Sequence, residues 1–116
     1  MAATKSPRVR LLHIRDEIED LTAALTDITF DAFCQDYTLR RATERALQII
    51  SEAAKALPED VRRQSVEVPW TAIIGLGNVL RHDYQYIDER RLWDIATVHL
   101  PQLLTAVVRT LDKLEE

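Results

Sequence analysis

Apolar residues recur along this chain at alternating steps of three and four, a spacing that places side chains on one face of an α-helix. Ser6 can cap the first of these helices and Pro7 suits its first turn, whereas Pro58 ends the second helix. The pattern predicts helices over about Pro7–Thr26, Asp36–Leu57 and Pro69–Arg81, a fourth helix capped by Asp88, and a final segment containing Leu103 to Leu111.

Shorter features are predicted between these helices. Phe30–Tyr37 is expected to form a tight connection or a short helical turn, and Pro58-Glu59-Asp60 an extra turn that holds Val61. His82-Asp83-Tyr84-Gln85-Tyr86 is predicted to be the exit loop of the third helix. Because proline removes a backbone donor and crowds the preceding turn, Pro101 is expected to break or kink the fourth helix near His99.

The composition favours helices over strands. Only two glycines and four prolines occur in 116 residues, too few for an all-β fold that needs turn residues at every hairpin. We therefore expect an all-α fold, an up-and-down bundle of four to five helices in a single domain spanning residues 1–116. The third helix is apolar on most sides, which predicts that it is central or lies at an interface.

Charge and cysteine content limit the compartments and partners. The net charge of −4 argues against general attraction to nucleic acid or anionic membranes, although the arginines cluster locally. Cys34 is the only cysteine, so no internal disulfide can form. The N-terminus lacks the apolar core of a signal peptide, and the most apolar stretch, Trp70 to Leu80, is too short to span a bilayer. We expect a cytoplasmic protein without a membrane partner.

Candidate chemistry is concentrated between Gly75 and Tyr84. Both glycines lie inside one predicted helix, where each costs about 1 kcal/mol relative to alanine, so another helix or a ligand is expected to approach closely. His82 lies near the C-terminus of this helix, where the dipole favours its protonated form, and it can serve as a general acid or base. The alternative is that His82 is only a cap or surface residue and that the glycines serve packing alone. No phosphate loop or zinc-ligand cluster is present.

The histidine motif and three further segments of this chain are similar to one known family. The stretch Asn78-Val79-Leu80-Arg81-His82-Asp83-Tyr84 resembles the signature of the HepT-like family of the HEPN superfamily, which is Arg followed by Asn, three residues, His, any residue and Tyr. The second-helix motif is similar to Arg41-Ala42-x-Glu44-Arg45-x-Leu47-Gln48-Ile49-Ile50-x-Glu52-Ala53, and the entry to the motif helix to Val68-Pro69-Trp70-x-x-Ile73-x-Gly75. The opening Ser6-Pro7-Arg8 with His13-Ile14-x-x-Glu17-Ile18 is similar to family N-termini.

The resemblance implies a HEPN-like helical bundle that forms a two-fold dimer with an RNA cleft at the interface. It implies a metal-independent ribonuclease without a cofactor, in which His82 is the general acid or base and Asn78 orients groups around the phosphate. It further implies the toxin of a type VII HEPN/MNT toxin–antitoxin system. The antitoxin would be an MNT-type nucleotidyltransferase that silences the toxin by AMPylation of Tyr84.

One position departs from the family pattern. The motif arginine, which stabilises the phosphate charge, falls at position 77, where this chain has Gly77. Arg81 lies one turn later on nearly the same face, and helical side chains lean toward the N-terminus, so we hypothesise that Arg81 supplies the missing charge. The alternative function is a catalytically silent HEPN domain that binds a nucleotidyltransferase partner, RNA or a nucleotide.

Overall fold

A computed structural model describes residues 6–82 and 87–114, and every regular element in those ranges is helical. Four long helices carry the fold, and short helical segments connect them. In chain order they are α1 (Pro7–Leu25), α2 (Phe30–Gln35), α3 (Tyr37–Ala56), α4 (Glu59–Arg62), a 3₁₀ turn (Arg63–Ser65), α5 (Trp70–His82), α6 (Glu89–Asp94), a π-helical turn (Ile95–His99) and α7 (Leu100–Lys113). The predicted all-α class is confirmed.

Side-chain caps explain where the helices begin. The Ser6 hydroxyl accepts a hydrogen bond from the backbone N–H of Val9 at 3.3 Å, and Pro7 occupies the first turn of α1. The Asp36 carboxylate accepts from the N–H of Leu39 at 2.9 Å at the start of α3. Asp88 caps α6 in the same way, as the sequence predicts.

The core is built from the predicted apolar stripes. The spacing predicts a stripe on the first helix that consists of Leu11, Ile14, Ile18, Leu21, Leu25 and Ile28. The first five are buried on α1, whereas Ile28 lies beyond the end of α1 and is only partly buried. Helix α3 is the central element, because it packs on α1 along one side and on α5 along another, and α1 in turn packs on α7. The α2 segment contributes Phe33, which is fully buried and lies with its ring centroid 5.3 Å from that of Trp93.

Helix α5 differs from its predicted environment. Among its residues only Gly77 and Leu80 are buried, and its principal neighbour is α3. Of the two predicted positions, central or at an interface, the first does not hold within the subunit: in the described chain α5 lies at the surface, and large side chains such as Ile73 and Leu76 are only partly covered. The position at an interface stays a prediction. Its last residue is His82, which the sequence had placed in the exit loop.

The α-helical pattern is interrupted near His99, as predicted, because α6 ends at Asp94 and α7 begins at Leu100. The chain widens into a π turn over Ile95–His99, in which the N–H of Leu100 bonds to the carbonyl of Ile95, five residues earlier. Pro101 then occupies the first turn of α7, where a missing N–H is tolerated. The π turn thus relieves the clash that a proline ring makes with the preceding turn of an α-helix. None of the described helices has the length and apolar character needed to cross a membrane.

Candidate active site

The candidate site lies on the C-terminal half of α5, whose direction is fixed by its entry. The Trp70 indole N–H donates to the carbonyls of Arg62 at 3.0 Å and Ser65 at 3.2 Å. These acceptors follow closely on the end of α3, so α5 starts there and runs back along α3. As a result, Gly77 and Arg81 lie beside Ser51 and Glu52 of α3.

Asn78 and His82 occupy the solvent face of this helix. They are four residues apart, so their side chains are neighbours on one face, with Cβ atoms about 5–6 Å apart. Both residues are exposed. Tyr84, the predicted modification site, lies outside the described residues. The arrangement therefore presents an amide and an imidazole together to solvent, where a polyanionic strand can reach both.

Gly77 marks a close approach between α5 and α3. A Cβ atom built on Gly77 would lie 2.0 Å from Ser51 Oγ and 2.5 Å from Ser51 Cβ. The Ser51 hydroxyl is buried there and donates to the carbonyl of Ile74 at 3.0 Å. The predicted close approach at this glycine is confirmed, and the neighbour is a helix of the same chain.

Arg81 reaches back along α5, as the lean of helical side chains predicts. Its Nη1 atom lies 3.6 Å from the Cβ position built on Gly77 and 3.9 Å from Glu52 Oε2. The hypothesis assumed that the space beside Gly77 is empty. Ser51 occupies this space. The guanidinium instead lies next to the contact between Gly77 and Ser51, held at the edge where α3 and α5 meet.

The second glycine has no such neighbour. A Cβ atom built on Gly75 would meet nothing within 4 Å in the described chain, and Gly75 is exposed. Close packing within the subunit therefore explains Gly77 but not Gly75. The loss of helix propensity caused by a glycine at position 75 is therefore not offset by any close contact within the described chain.

Sequence reasoning missed the two residues of α3 that complete this region, Ser51 and Glu52. The packing face of α3 could be read from its periodicity, but the residue that meets Gly77 depends on how the two helices cross. Glu52 was part of the second-helix resemblance, yet only the structure pairs it with Arg81. The three histidines were predicted to lack metal spacing, and the described residues include no cluster of His, Cys, Asp or Glu suited to a metal ion.

A groove of about 970 Å³ lies on the other side of α5 and is lined by residues of α3, α5, α6 and α7. Its apolar lining includes Leu47, Ile50, Ile73, Leu76, Ile95, Leu100 and Leu103, and its charged lining includes Glu67, Asp88, Arg90, Arg91, Asp94 and Arg109. On a helical wheel Ile73 and Leu76 lie across the axis from Asn78 and His82, so the groove is distinct from the polar face.

Comparison with known proteins agrees with the sequence resemblance. The chain is 38% identical over 109 residues to the protein named “Putative RNase TTE0752” of Caldanaerobacter subterraneus subsp. tengcongensis, covering 94% of this chain and 97% of that protein. It is 32% identical over 111 residues to “Putative RNase MJ0127” of Methanocaldococcus jannaschii, covering 96% and 92% of the two chains. It is 33% identical over 96 residues to “Probable ribonuclease HepT” of Thermococcus cleftensis, covering 77% of this chain and 87% of that protein. No solved structure matches the chain.

The match to a family model covers most of the fold. The model described as “Ribonuclease HepT-like” matches residues 14–110, a range that begins in α1, ends in α7 and contains Asn78, Arg81 and His82. On this match and the relatives above, the chain belongs to the ribonuclease HepT-like family.

Proposed function

We propose that this protein is a metal-independent endoribonuclease and the toxin of a type VII HEPN/MNT toxin–antitoxin system. The observation that carries the proposal is the placement of Asn78, Arg81 and His82 on adjoining faces of the last turns of α5. An amide, a guanidinium and an imidazole at one surface site supply orientation, charge stabilisation and proton transfer, which are the functions that phosphodiester cleavage needs.

In the proposed reaction the RNA 2′-oxygen bonds to the neighbouring phosphorus, and the bond from phosphorus to the 5′-oxygen breaks. The 2′-hydroxyl loses its proton to a base and the 5′-oxygen gains one from an acid, so the products are a 2′,3′-cyclic phosphate and a 5′-hydroxyl. His82 serves as the general acid or base. Arg81 stabilises the charge that builds on the phosphate oxygens, and Asn78 orients the phosphate.

The proposal includes a two-fold dimer, in which the α5 helices of two copies face each other across an RNA cleft. One feature of α5 supports pairing. Gly75 is exposed with open space around it, which leaves room for a second backbone to approach. On a helical wheel Gly75 lies on the same face as Asn78 and His82.

Regulation is proposed to act through an MNT-type nucleotidyltransferase antitoxin that transfers AMP to Tyr84. Tyr84 follows His82 by two residues in the sequence. An adenylyl group there would add bulk and negative charge two residues after His82 in the sequence, and negative charge near the site would repel the RNA backbone. Mass spectrometry of the protein after co-expression with such an enzyme tests this part: AMP on Tyr84 supports it, and modification confined to other residues contradicts it.

The activity is tested with a labelled single-stranded RNA and the purified protein, with and without EDTA. We expect cleavage that persists in EDTA and that is lost in both His82→Ala and Arg81→Ala. Arg63→Ala is the matched control, because it removes an exposed arginine that pairs with Glu59 at 3.6 Å on α4. Normal cleavage by Arg81→Ala would remove Arg81 from the mechanism, and cleavage that requires a divalent ion would overturn the proposed reaction.

Gly77 in place of the motif arginine favours a second candidate, a catalytically silent HEPN domain that binds RNA, a nucleotide or a nucleotidyltransferase partner. The net charge of −4 points the same way. The two candidates differ in one result: a silent module binds the RNA, or the partner enzyme, and leaves the RNA intact.

A further inference from the structure

We propose that Glu52 is a positioning residue that holds the Arg81 guanidinium over the position where the family places its motif arginine; this inference rests on the proposed ribonuclease function. Its basis is the contact between the two side chains, with Glu52 Oε2 lying 3.9 Å from Arg81 Nη1. The same nitrogen lies 3.6 Å from the Cβ position built on Gly77. The pair therefore joins α3 to the region where a side chain of residue 77 would begin.

The exposure of the pair argues against a mainly stabilising role. The Arg81 side chain is 36% exposed and that of Glu52 is 52% exposed. Ion pairs in such positions contribute little to folding, because water screens them and two long side chains must be ordered. The contact is better suited to choosing one orientation for Arg81, whose side chain would otherwise sample many.

The geometry leaves the guanidinium able to bind phosphate. Arginine has five N–H donors in a planar fork, and the contact with Glu52 involves Nη1. Donors on Nε and Nη2 are then available to the oxygens of a phosphate on the solvent side. A group that is oriented before substrate arrives lowers the cost of reaching the transition state.

The neighbouring residue explains why the charge must come from Arg81. Ser51 precedes Glu52 on α3 and lies within 2.5 Å of any Cβ atom at position 77, so that position has no room for an arginine. Adjacent residues of α3 thus have complementary effects. Ser51 excludes a side chain at position 77, and Glu52 directs the guanidinium of Arg81 toward the same place.

The first experiment measures steady-state RNA cleavage by Glu52→Gln, Arg81→Lys and the double variant. We expect Glu52→Gln to lower kcat about 10- to 100-fold, the effect of a misplaced catalytic group. KM should be unchanged or lower, because one negative charge near a polyanion is gone. Arg81→Lys keeps a positive charge but removes the planar guanidinium that Glu52 orients, so Glu52→Gln should have a much smaller effect in that background. Glu52→Asp should restore part of kcat in the chain that keeps Arg81. Equal effects of Glu52→Gln in the parent chain and in the Arg81→Lys chain would overturn the proposal.

Glu59→Gln is the matched control, since it neutralises an exposed glutamate paired with Arg63 at 3.6 Å. It should leave kcat and KM as they are in the parent chain. The thermal unfolding midpoint of Glu52→Gln should differ from that of the parent chain by no more than about 2 °C, as expected for an exposed ion pair. A large loss of stability with a proportional loss of activity would indicate a structural role for Glu52 and count against positioning.

A second readout does not need activity. The side-chain ¹⁵N–¹H signal of the Arg81 guanidinium should shift and broaden in Glu52→Gln and stay unchanged in Glu59→Gln. If the parent protein cuts no RNA while this shift is seen, the proposed function fails and the positioning contact stands. An Arg81 signal that is insensitive to Glu52→Gln would refute the contact whatever the activity.

Discussion

The contact between Gly77 and Ser51 makes a prediction that separates the two glycines of α5. Replacing Gly77 by alanine adds one methyl group where α3 and α5 lie in close contact. Replacing Gly75 adds the same group where nothing lies within 4 Å. Both changes remove a glycine from the interior of one helix, so they share the same gain in helix propensity and differ only in what the new Cβ meets.

The magnitudes follow from the distances. A Cβ at position 77 would lie 2.5 Å from Ser51 Cβ, whereas ordinary contacts begin at 3.4 Å, so the helices must separate by close to an ångström at this point. Overpacking of this kind costs about 1–3 kcal/mol. Disturbing the hydrogen bond from Ser51 to the Ile74 carbonyl costs about 1 kcal/mol. Against this stands the gain of about 1 kcal/mol from removing a helical glycine. Gly77→Ala should therefore destabilise the protein by about 1–3 kcal/mol.

Gly75→Ala should stabilise the isolated subunit by about 0.5–1 kcal/mol, because it gains propensity without a clash. The assay is urea unfolding of both variants and of the parent chain, monitored by circular dichroism at two protein concentrations. In a dimer paired through α5, Gly75→Ala would also weaken association. That loss depends on protein concentration, whereas the effect of Gly77→Ala on helix packing does not.

A rescue experiment tests the contact itself. Ser51→Gly removes both atoms that the new methyl group would meet, so Gly77→Ala should cost less in a Ser51→Gly chain than in the parent chain. Additive effects of the two changes would mean that the residues do not touch. A Gly77→Ala variant as stable as Gly75→Ala would refute the close approach of α3 and α5, and with it the account of why position 77 has no arginine.

Three further predictions concern the fold. Phe33→Ala should lower the free energy of unfolding by about 3–5 kcal/mol, measured in urea, because the ring is fully buried; a loss below 1 kcal/mol would mean that α2 is not part of the core. Asp36→Ala should cost about 1 kcal/mol in the same assay through loss of the α3 cap, and Asp36→Asn should restore most of it. Burial and, to a lesser extent, Asp20 raise the pKa of Glu17 above 4.5, so its ionised form destabilises the fold. Glu17→Gln should therefore be more stable than the parent at neutral pH, and this advantage should disappear as the pH falls through the raised pKa and below 4.5; an advantage unchanged across that range would contradict the assignment.

Much of the fold could be predicted because helix formation and capping depend on residues that are close together in the sequence. The stripe from Leu11 to Leu25 and the caps Ser6 and Asp88 depend only on spacing along a helix, and the structure confirms all of them. The cap at Asp36 was not predicted, although the second helix was expected to begin there. The surroundings of α5 could not be predicted in this way. An apolar helix is compatible with a central position or with an interface, and only the arrangement of the neighbouring helices decides between them.

In the candidate site, too, features within one helix could be predicted and contacts between helices could not. The lean of Arg81 toward Gly77 is a property of any helical side chain and was predicted correctly. The identity of its neighbours was not, since Ser51 and Glu52 lie in a different helix and their proximity depends on the crossing of α3 and α5. Roles in catalysis for Asn78, Arg81 and His82, and the modification of Tyr84, stay predictions until cleavage and AMP transfer are measured.

The π turn at Ile95–His99 has a consequence for how the length of this chain can vary. Such a turn is equivalent to one residue inserted into an α-helix, and Leu92, Ala96, Leu100 and Leu103 stay buried on both sides of it. A homologue that lacks one residue in this stretch could close the helix into regular α geometry only if it also lacks the proline. Among homologues, deletion of one residue from the stretch Ile95–His99 should therefore be accompanied by loss of Pro101.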